Sequence, residues 1–268
     1  MLRRNIGLAL LLVGIPSAGM AQRVLRYGAA HDTLWFQSVN QYRMYFVRGA
    51  DTLGDPVSTR TLERETFLGG ADTLSVNVQL RGLGQFPFTN EQVYGVLSSG
   101  KVVAVGGHPV DSVAHARVDL FLHFPTPPRV ATPGVAWRDS VSNAHIASYG
   151  PENYSVVRDL RVISVADSGG VPVCLVVGAG VMRLRQGGWQ DSTAGTRWWQ
   201  EVQGPVVDSL WFDLLRGAGI HDVAVMRLIG SGGVVGPTGS TPMRSGLLSS
   251  VRRTRVSPTA AANLLAGH

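Results

Sequence analysis

The stretch "DTLSVNVQLR", Asp72 to Arg81, limits what this chain can become more than any other feature. Leu74, Val76, Val78 and Leu80 occupy every second position and Thr73, Ser75, Asn77 and Gln79 fill the gaps. A period of two puts the first set on one face of a β-strand and the second on the other, so this is a half-buried strand. Similar strands are expected at 33–37, 41–48 and 58–66, and "QVYGVL" and "KVVAVG" flank a hairpin turn at Ser98-Ser99-Gly100. The rhythm resumes at 154–166 and 171–185 around the turn Asp167-Ser168-Gly169-Gly170, then at 197–203, 206–216, 220–229 and 243–256. Short Gly- and Asp-containing connections imply antiparallel neighbours.

Three segments break the rhythm. "HPVDSVAHARVDLFLHF" has helical spacing and predicts a short helix over 109–122. "FPTPPRVATPG" follows, too dense in proline for a helix or a central strand, and reads as an extended crossover over 125–136. "GSGGVVGPTGSTP", 230–242, is expected to be a flexible loop, and 257–268 a flexible tail. The fold class is therefore mainly β: two antiparallel halves, half-barrel or clam-like, joined by one short helix and a Pro-rich crossover. The N-terminal half takes 22–124 and the C-terminal half 137–256.

The region from "SSGKVVAVGG" through "FPTPP" to "PGVAWRDSV", with Gly107, Phe124, Pro125, Pro133, Gly134 and Trp137, resembles uncharacterised secreted bacterial domains with a Phe-Pro, Pro-rich, Pro-Gly-x-x-Trp hinge. Their layout is similar to half-open β-barrels of the lipoprotein-localisation type. The resemblance implies an architecture. It carries no lipid-carrier motif or activity onto this sequence.

Residues 1–21, "MLRRNIGLALLLVGIPSAGMA", join two arginines, a short apolar run and small residues before Gln22, the pattern of a secretory signal peptide. The expectation is export to the periplasm or the extracellular space, without a membrane-spanning helix, because the apolar run is too short. Cys174 is the one cysteine and sits in "VPVCLVV", so it reads as a small buried hydrophobe rather than half of a disulfide. The formal charge of +6 suggests a nucleic-acid partner until its position is considered. Beyond Arg3 and Arg4, the excess falls on Arg244, Arg252, Arg253 and Arg255, so no phosphate-tracking surface is expected. Arg252, Arg253 and Arg255 are instead candidates for contact with a partner.

Asp precedes Ser or Thr at positions 32, 51, 72, 111, 139, 167, 191 and 208. Isolated aspartates lack the alternating carboxylates of a calcium loop, and an Asp that bonds the backbone two residues on starts a turn, so these read as turn punctuation. His108, His115 and His123 lie seven and eight apart, wrong for a zincin helix, and no metal or other cofactor is expected. No nucleophile elbow or phosphate loop occurs, and a carboxylate pair could be drawn from Glu152, Glu201, Asp208 and Asp213 only as any β protein with 18 acids would offer one, so no catalytic residue is assigned.

The remaining chemistry is aromatic. Trp189, Trp198, Trp199 and Trp211 crowd one part of the second half, and adjacent Trp198 and Trp199 must point to opposite faces of a strand. They are the candidate ligand-binding residues. Together these features give an exported, non-catalytic β domain that binds an apolar or cell-envelope ligand, a lipid, a glycan or an envelope protein, on a concave sheet face. A structural or interaction protein of the envelope is the alternative, and a hydrolase with a dispersed site ranks third.

Overall fold

The computed structural model describes residues 25–28, 32–69, 73–84, 87–109, 130–147 and 150–267. The strands in chain order are β1 (Thr33–Arg48), β2 (Asp51–Leu53), β3 (Val57–Phe67), β4 (Thr73–Leu83), β5 (Thr89–Leu97), β6 (Val102–Val105) and β7 (His108–Pro109). They continue as β8 (Ala136–Ala147), β9 (Gly150–Ser168), β10 (Val171–Asp191), β11 (Thr196–Asp213), β12 (Ala218–Gly236) and β13 (Gly239–Val256), and the helix α1 (Pro258–Ala266) ends the described chain. All thirteen strands belong to one antiparallel sheet, in the order β7-β6-β5-β4-β3-β1-β13-β12-β11-β10-β9-β8, with β2 pairing β1 off that path.

The topology is a meander in which nearly every strand pairs with its sequence neighbour. The exceptions are β3, which passes over β2 to pair with β1, and the ladder between β1 and β13, where Trp35 faces Val256 and Val47 faces Arg244. That ladder joins the N-terminal strands to the C-terminal ones, so what the sequence suggests as two halves is one continuous sheet. Among the described residues the sheet is not closed into a barrel, and its two edges are β7 and β8. The expected signal peptide at 1–21, residues 110–122 of the expected helix and the first part of the Pro-rich crossover lie outside the described residues, while Pro109, expected to begin that helix, is in β7 opposite Ala104. The rest of the crossover is a turn at Pro133-Gly134, after which Val135 already accepts a hydrogen bond from the Val162 amide at 2.9 Å.

Although open, the sheet is strongly curled. Met44 on β1 and Gln186 on β10 are separated by four strand spacings, roughly 19 Å in a flat sheet, yet Gln186 Nε2 lies 3.6 Å from Met44 Sδ. The inner face packs on itself. Its principal core draws Leu34 and Phe36 from β1, Val76 and Val78 from β4, Leu160 and Val162 from β9, Cys174 and Val176 from β10, and Leu210 and Phe212 from β11. The N-terminal segment crosses one end of this core. Leu25 and Tyr27 are buried, the Tyr27 ring meets Phe212 edge-on at 5.0 Å, and the Tyr27 and Gly28 amides donate to Ser98 and Gly217 carbonyls. A second cluster, including Tyr154, Val156, Met182, Leu184, Val202 and Leu228, fills the inner face toward the other end.

Two segments differ from the sequence reading. The stretch 230–242 is not a loop: its glycines lie in the ends of β12 and β13, which turn tightly through Pro237 and Thr238. Gly232 belongs there because the Phe46 ring packs where its Cβ would stand. The tail is likewise not loose. Ser257 caps α1, its Oγ accepting from the Ala260 amide at 3.1 Å, with Pro258 in the first turn. The helix buries Ala261 and brings Leu264 and Leu265 onto Leu62, Leu83, Trp35 and Val256 on the outer face. An alanine-rich dodecapeptide carries too weak a helical pattern to announce this. Packing on an outward apolar patch supplies the stability that a nine-residue helix lacks by itself.

Candidate functional site

Strand alternation sorts every candidate residue onto one of two faces. On β9, Val156, Arg158, Leu160 and Val162 point inward and are buried, while Val157, Asp159, Arg161 and Ile163 point outward and are exposed. On β10 and β11, the even-numbered residues from Cys174 to Gln186 and from Gln200 to Phe212 form the inner face in the same way.

The inner face, where a ligand was expected, is occupied by the chain's own side chains. Besides the two apolar clusters it holds two buried ionic groups. Arg253 lies 3.5 Å over the centre of the Phe36 ring and donates to Glu63 at 3.0 and 2.9 Å and to Glu65 at 2.6 Å, with Asp222 at 3.6 Å. Three carboxylates thus surround one guanidinium. Burial pushes the Glu65 carboxyl up to about 8, Arg253 opposing the shift, and pushes Asp222 up to about 6. Further along, Arg158 donates to Asp208 at 2.8 Å and to Asp139 at 2.7 Å. Asp208 stands against Gly178, in the space a Cβ there would take.

The alternation of each strand carries the signal of these groups. A charge at an inward position of an alternating strand, as in Val156-x-Arg158-x-Leu160 or Val206-x-Asp208-x-Leu210, marks a buried ion that must have a partner. The Asp-Ser/Thr sites divide accordingly. Asp167 accepts from the Gly170 amide at 2.7 Å and Asp191 from the Thr193 and Ala194 amides, as turn residues do, and Asp32 accepts from Thr33. Asp139 and Asp208 instead neutralise Arg158, and Asp72 and Asp111 lie outside the described residues.

The basic residues proposed for a partner separate too. Arg253 is buried in its carboxylate cluster, and Arg255 leans on Asp213 at 3.2 Å. Only Arg252 is exposed on the outer face. Trp198 and Trp199 do point to opposite faces of β11, Trp198 on the inner side with Gln200, and both are half-buried. Trp199 lies on the outer face between Gly187 and Gly233. Trp189 is exposed at one end of β10, with the Arg197 guanidinium stacked 3.9 Å from its ring centre. Trp211 lies near the opposite end of the outer face against His221, ring centres 5.0 Å apart, and His221 Nδ1 is 2.8 Å from Thr254 Oγ1. The four tryptophans therefore form no single pocket.

What the outer face does offer is an apolar strip. Val181 stands opposite Val157 on one side and Pro205 on the other, and one row on, Ala179, Val207 and Val225 form a second line. Val181 is 52% exposed, Val207 and Val225 48%, Val157 42% and Ile229 59%, so this strip is open to solvent. Leu175, Val177 and Val223 extend it toward Trp211. Arginines frame it: Arg161 opposite Val177, Arg252 opposite Val223, Arg183 and Arg185 further along β10, and Arg227 opposite Leu248, all exposed. The acids on this part of the face are Asp159, bound to Arg138 at 2.9 and 3.1 Å, and Glu201, across from Arg185.

Cys174 is buried, and burial pushes its thiol up to about 11, so it is not a reactive thiolate. His108 is exposed in β7, whereas His115 and His123 lie outside the described residues. Among the described residues no three His, Cys, Asp or Glu side chains are grouped so as to hold a metal ion, and no helix is long and apolar enough to cross a membrane.

No family model matches this sequence, and no curated protein matches it. Among solved structures, Neisserial surface protein A (NspA) is similar over 82% of this chain and 96% of its own length, at 10% identity and a TM-score of 0.19.

Proposed function

We propose that this chain is an exported, non-catalytic β protein of the cell envelope that adheres to a membrane surface through the outer face of β9–β12. The supporting observation is the exposed strip of Val157, Val181, Val207, Val225 and Ile229 on a sheet whose inner face is already packed. A fold needs one apolar sheet face, and a contiguous apolar patch on the other face is a contact surface. The arginine frame selects the kind of contact. Apolar side chains bordered by cations suit the boundary between acyl chains and anionic headgroups. A second copy packed face to face would set arginine against arginine, which disfavours a symmetric dimer through this strip.

Vesicle co-sedimentation tests the reading. Wild-type protein is expected to bind phosphatidylglycerol vesicles, and Val181→Glu with Val207→Glu to lose that binding while keeping the wild-type melting temperature. Equal binding by the double variant, or none by the wild type, refutes adhesion through the strip. Retention of the wild type by glycan or by a protein alone, without vesicle binding, favours the interaction-protein alternative.

A further inference from the structure

We infer that the outer face carries a headgroup site for an anionic phospholipid, centred on Arg183 and Arg185, at the end of the apolar strip; the inference rests on the membrane-adhesion reading. A groove of about 650 Å³ opens there. Arg183 and Arg185 on β10 form its middle, Asn153 and Ser155 on β9 one wall, and Gln203 and Ser231 on β11 and β12 the other.

Register puts these groups side by side. Ser155, Arg183, Gln203 and Ile229 make one outward row, and Asn153, Arg185, Glu201 and Ser231 the next. Successive outward residues on a strand are roughly 7 Å apart, so the two guanidinium groups can both reach one phosphate. Neither arginine makes an ion pair or side-chain hydrogen bond among the described residues. Their donors are therefore available, unlike those of Arg158 and Arg253, which the fold consumes. Guanidinium forks match phosphate oxygens in pairs, and the neighbouring amide and hydroxyl groups suit the sugar or glycerol hydroxyls that accompany a lipid phosphate. Among the described residues Glu201 is the one carboxylate lining the groove. It leaves the pair of arginines with a net positive charge and supplies an acceptor for a hydroxyl.

Position distinguishes a lipid from a soluble phosphate. Read along β10, the outward residues are Leu175, Val177, Ala179, Val181, Arg183 and Arg185, an apolar run that changes to cationic at one point. An amphiphile has that order. A headgroup at Arg183 and Arg185 places its chains over Val181, Val157 and Pro205.

The test compares full-length protein and the Arg183→Gln/Arg185→Gln variant on phosphatidylglycerol-containing and pure phosphatidylcholine vesicles, with melting temperature as the fold control. The Arg183→Gln/Arg185→Gln variant is expected to lose about thirtyfold in affinity for anionic vesicles, with Arg183→Lys/Arg185→Lys recovering only part. Unchanged anionic preference in the glutamine variant overturns the headgroup site, while continued loss in the Val181→Glu/Val207→Glu variant leaves strip adhesion standing. Binding of glycerol 1-phosphate in solution as tightly as vesicles would also overturn it, because the site would then take a free phosphate. Should wild-type protein bind no vesicle, both readings fail.

Discussion

Strands β4 and β10 obey the same inward rule and opposite outward ones. Both bury aliphatic side chains on the inner face, Leu74, Val76 and Val78 in one and Val176, Met182 and Leu184 in the other. Outward, β4 presents Thr73, Ser75, Asn77, Gln79 and Arg81 before Leu83, which α1 covers, with Asn77 and Gln79 both donating to Glu91 at 2.8 and 2.9 Å. Strand β10 presents Leu175, Val177, Ala179 and Val181 before its arginines. Since the curl of the sheet is satisfied by the inner face alone, folding does not account for the apolar residues on the outer face of β10. They are available for something else, and β4 provides the internal control.

The inner face tolerates change least. Replacing Arg253 by Met would leave Glu63, Glu65 and Asp222 facing one another without a cation, at a cost of about 3–5 kcal/mol; urea unfolding should show it. Leu74→Ala and Leu184→Ala should each cost about 2–5 kcal/mol, whereas Gln79→Ala and Val181→Ala on the opposite faces should shift the midpoint by no more than about 0.5 kcal/mol. A large cost for Val181→Ala would mean that the strip is part of the fold, and the contrast between the strands would lose its meaning.

The smallest effect is one of pH. Native Glu65, its carboxyl pushed up to about 8, keeps a proton that the unfolded chain releases near 4.5, so the native state binds more protons across that interval and stability falls as pH rises through it. Asp222, raised to about 6, adds to the fall at the lower end. Melting temperature should therefore be higher at pH 5.5 than at pH 8, with a slope of up to about 1.4 kcal/mol per pH unit for each proton. Glu65→Gln keeps an acceptor for Arg253 and should flatten the upper part of that slope. An unchanged slope would mean that Glu65 is ionised inside the protein.

Alternation made the strands legible, because a period of two survives in any half-buried strand and needs no knowledge of partners. It also separated Trp198 from Trp199 correctly. Pairing order was not legible. The link between β1 and β13 depends on residues far apart in sequence, and nothing in either strand names the other. The apolar strip was hidden for a related reason. Val157, Val181, Val207 and Val225 come from four strands, and each looks like an ordinary interruption of alternation until register sets them side by side. The grouping of the tryptophans misled, since closeness in sequence along long strands places Trp189 and Trp211 near opposite ends of the sheet.

The ladder between β1 and β13 has a kinetic consequence. Its partners, such as Trp35 and Val256, lie about 220 residues apart, and a contact of that span forms slowly because the intervening chain must first be brought together. A nascent chain emerging from its N-terminus can zip β3, β4 and β5 into local hairpins, but β1 waits with an unpaired edge until the last strand has been made. Through that interval the chain presents an open template for aggregation. A chaperone that holds unfolded chains, acting on β1 before β13 arrives, would raise the yield of this protein more than it would that of a meander lacking such a late closure.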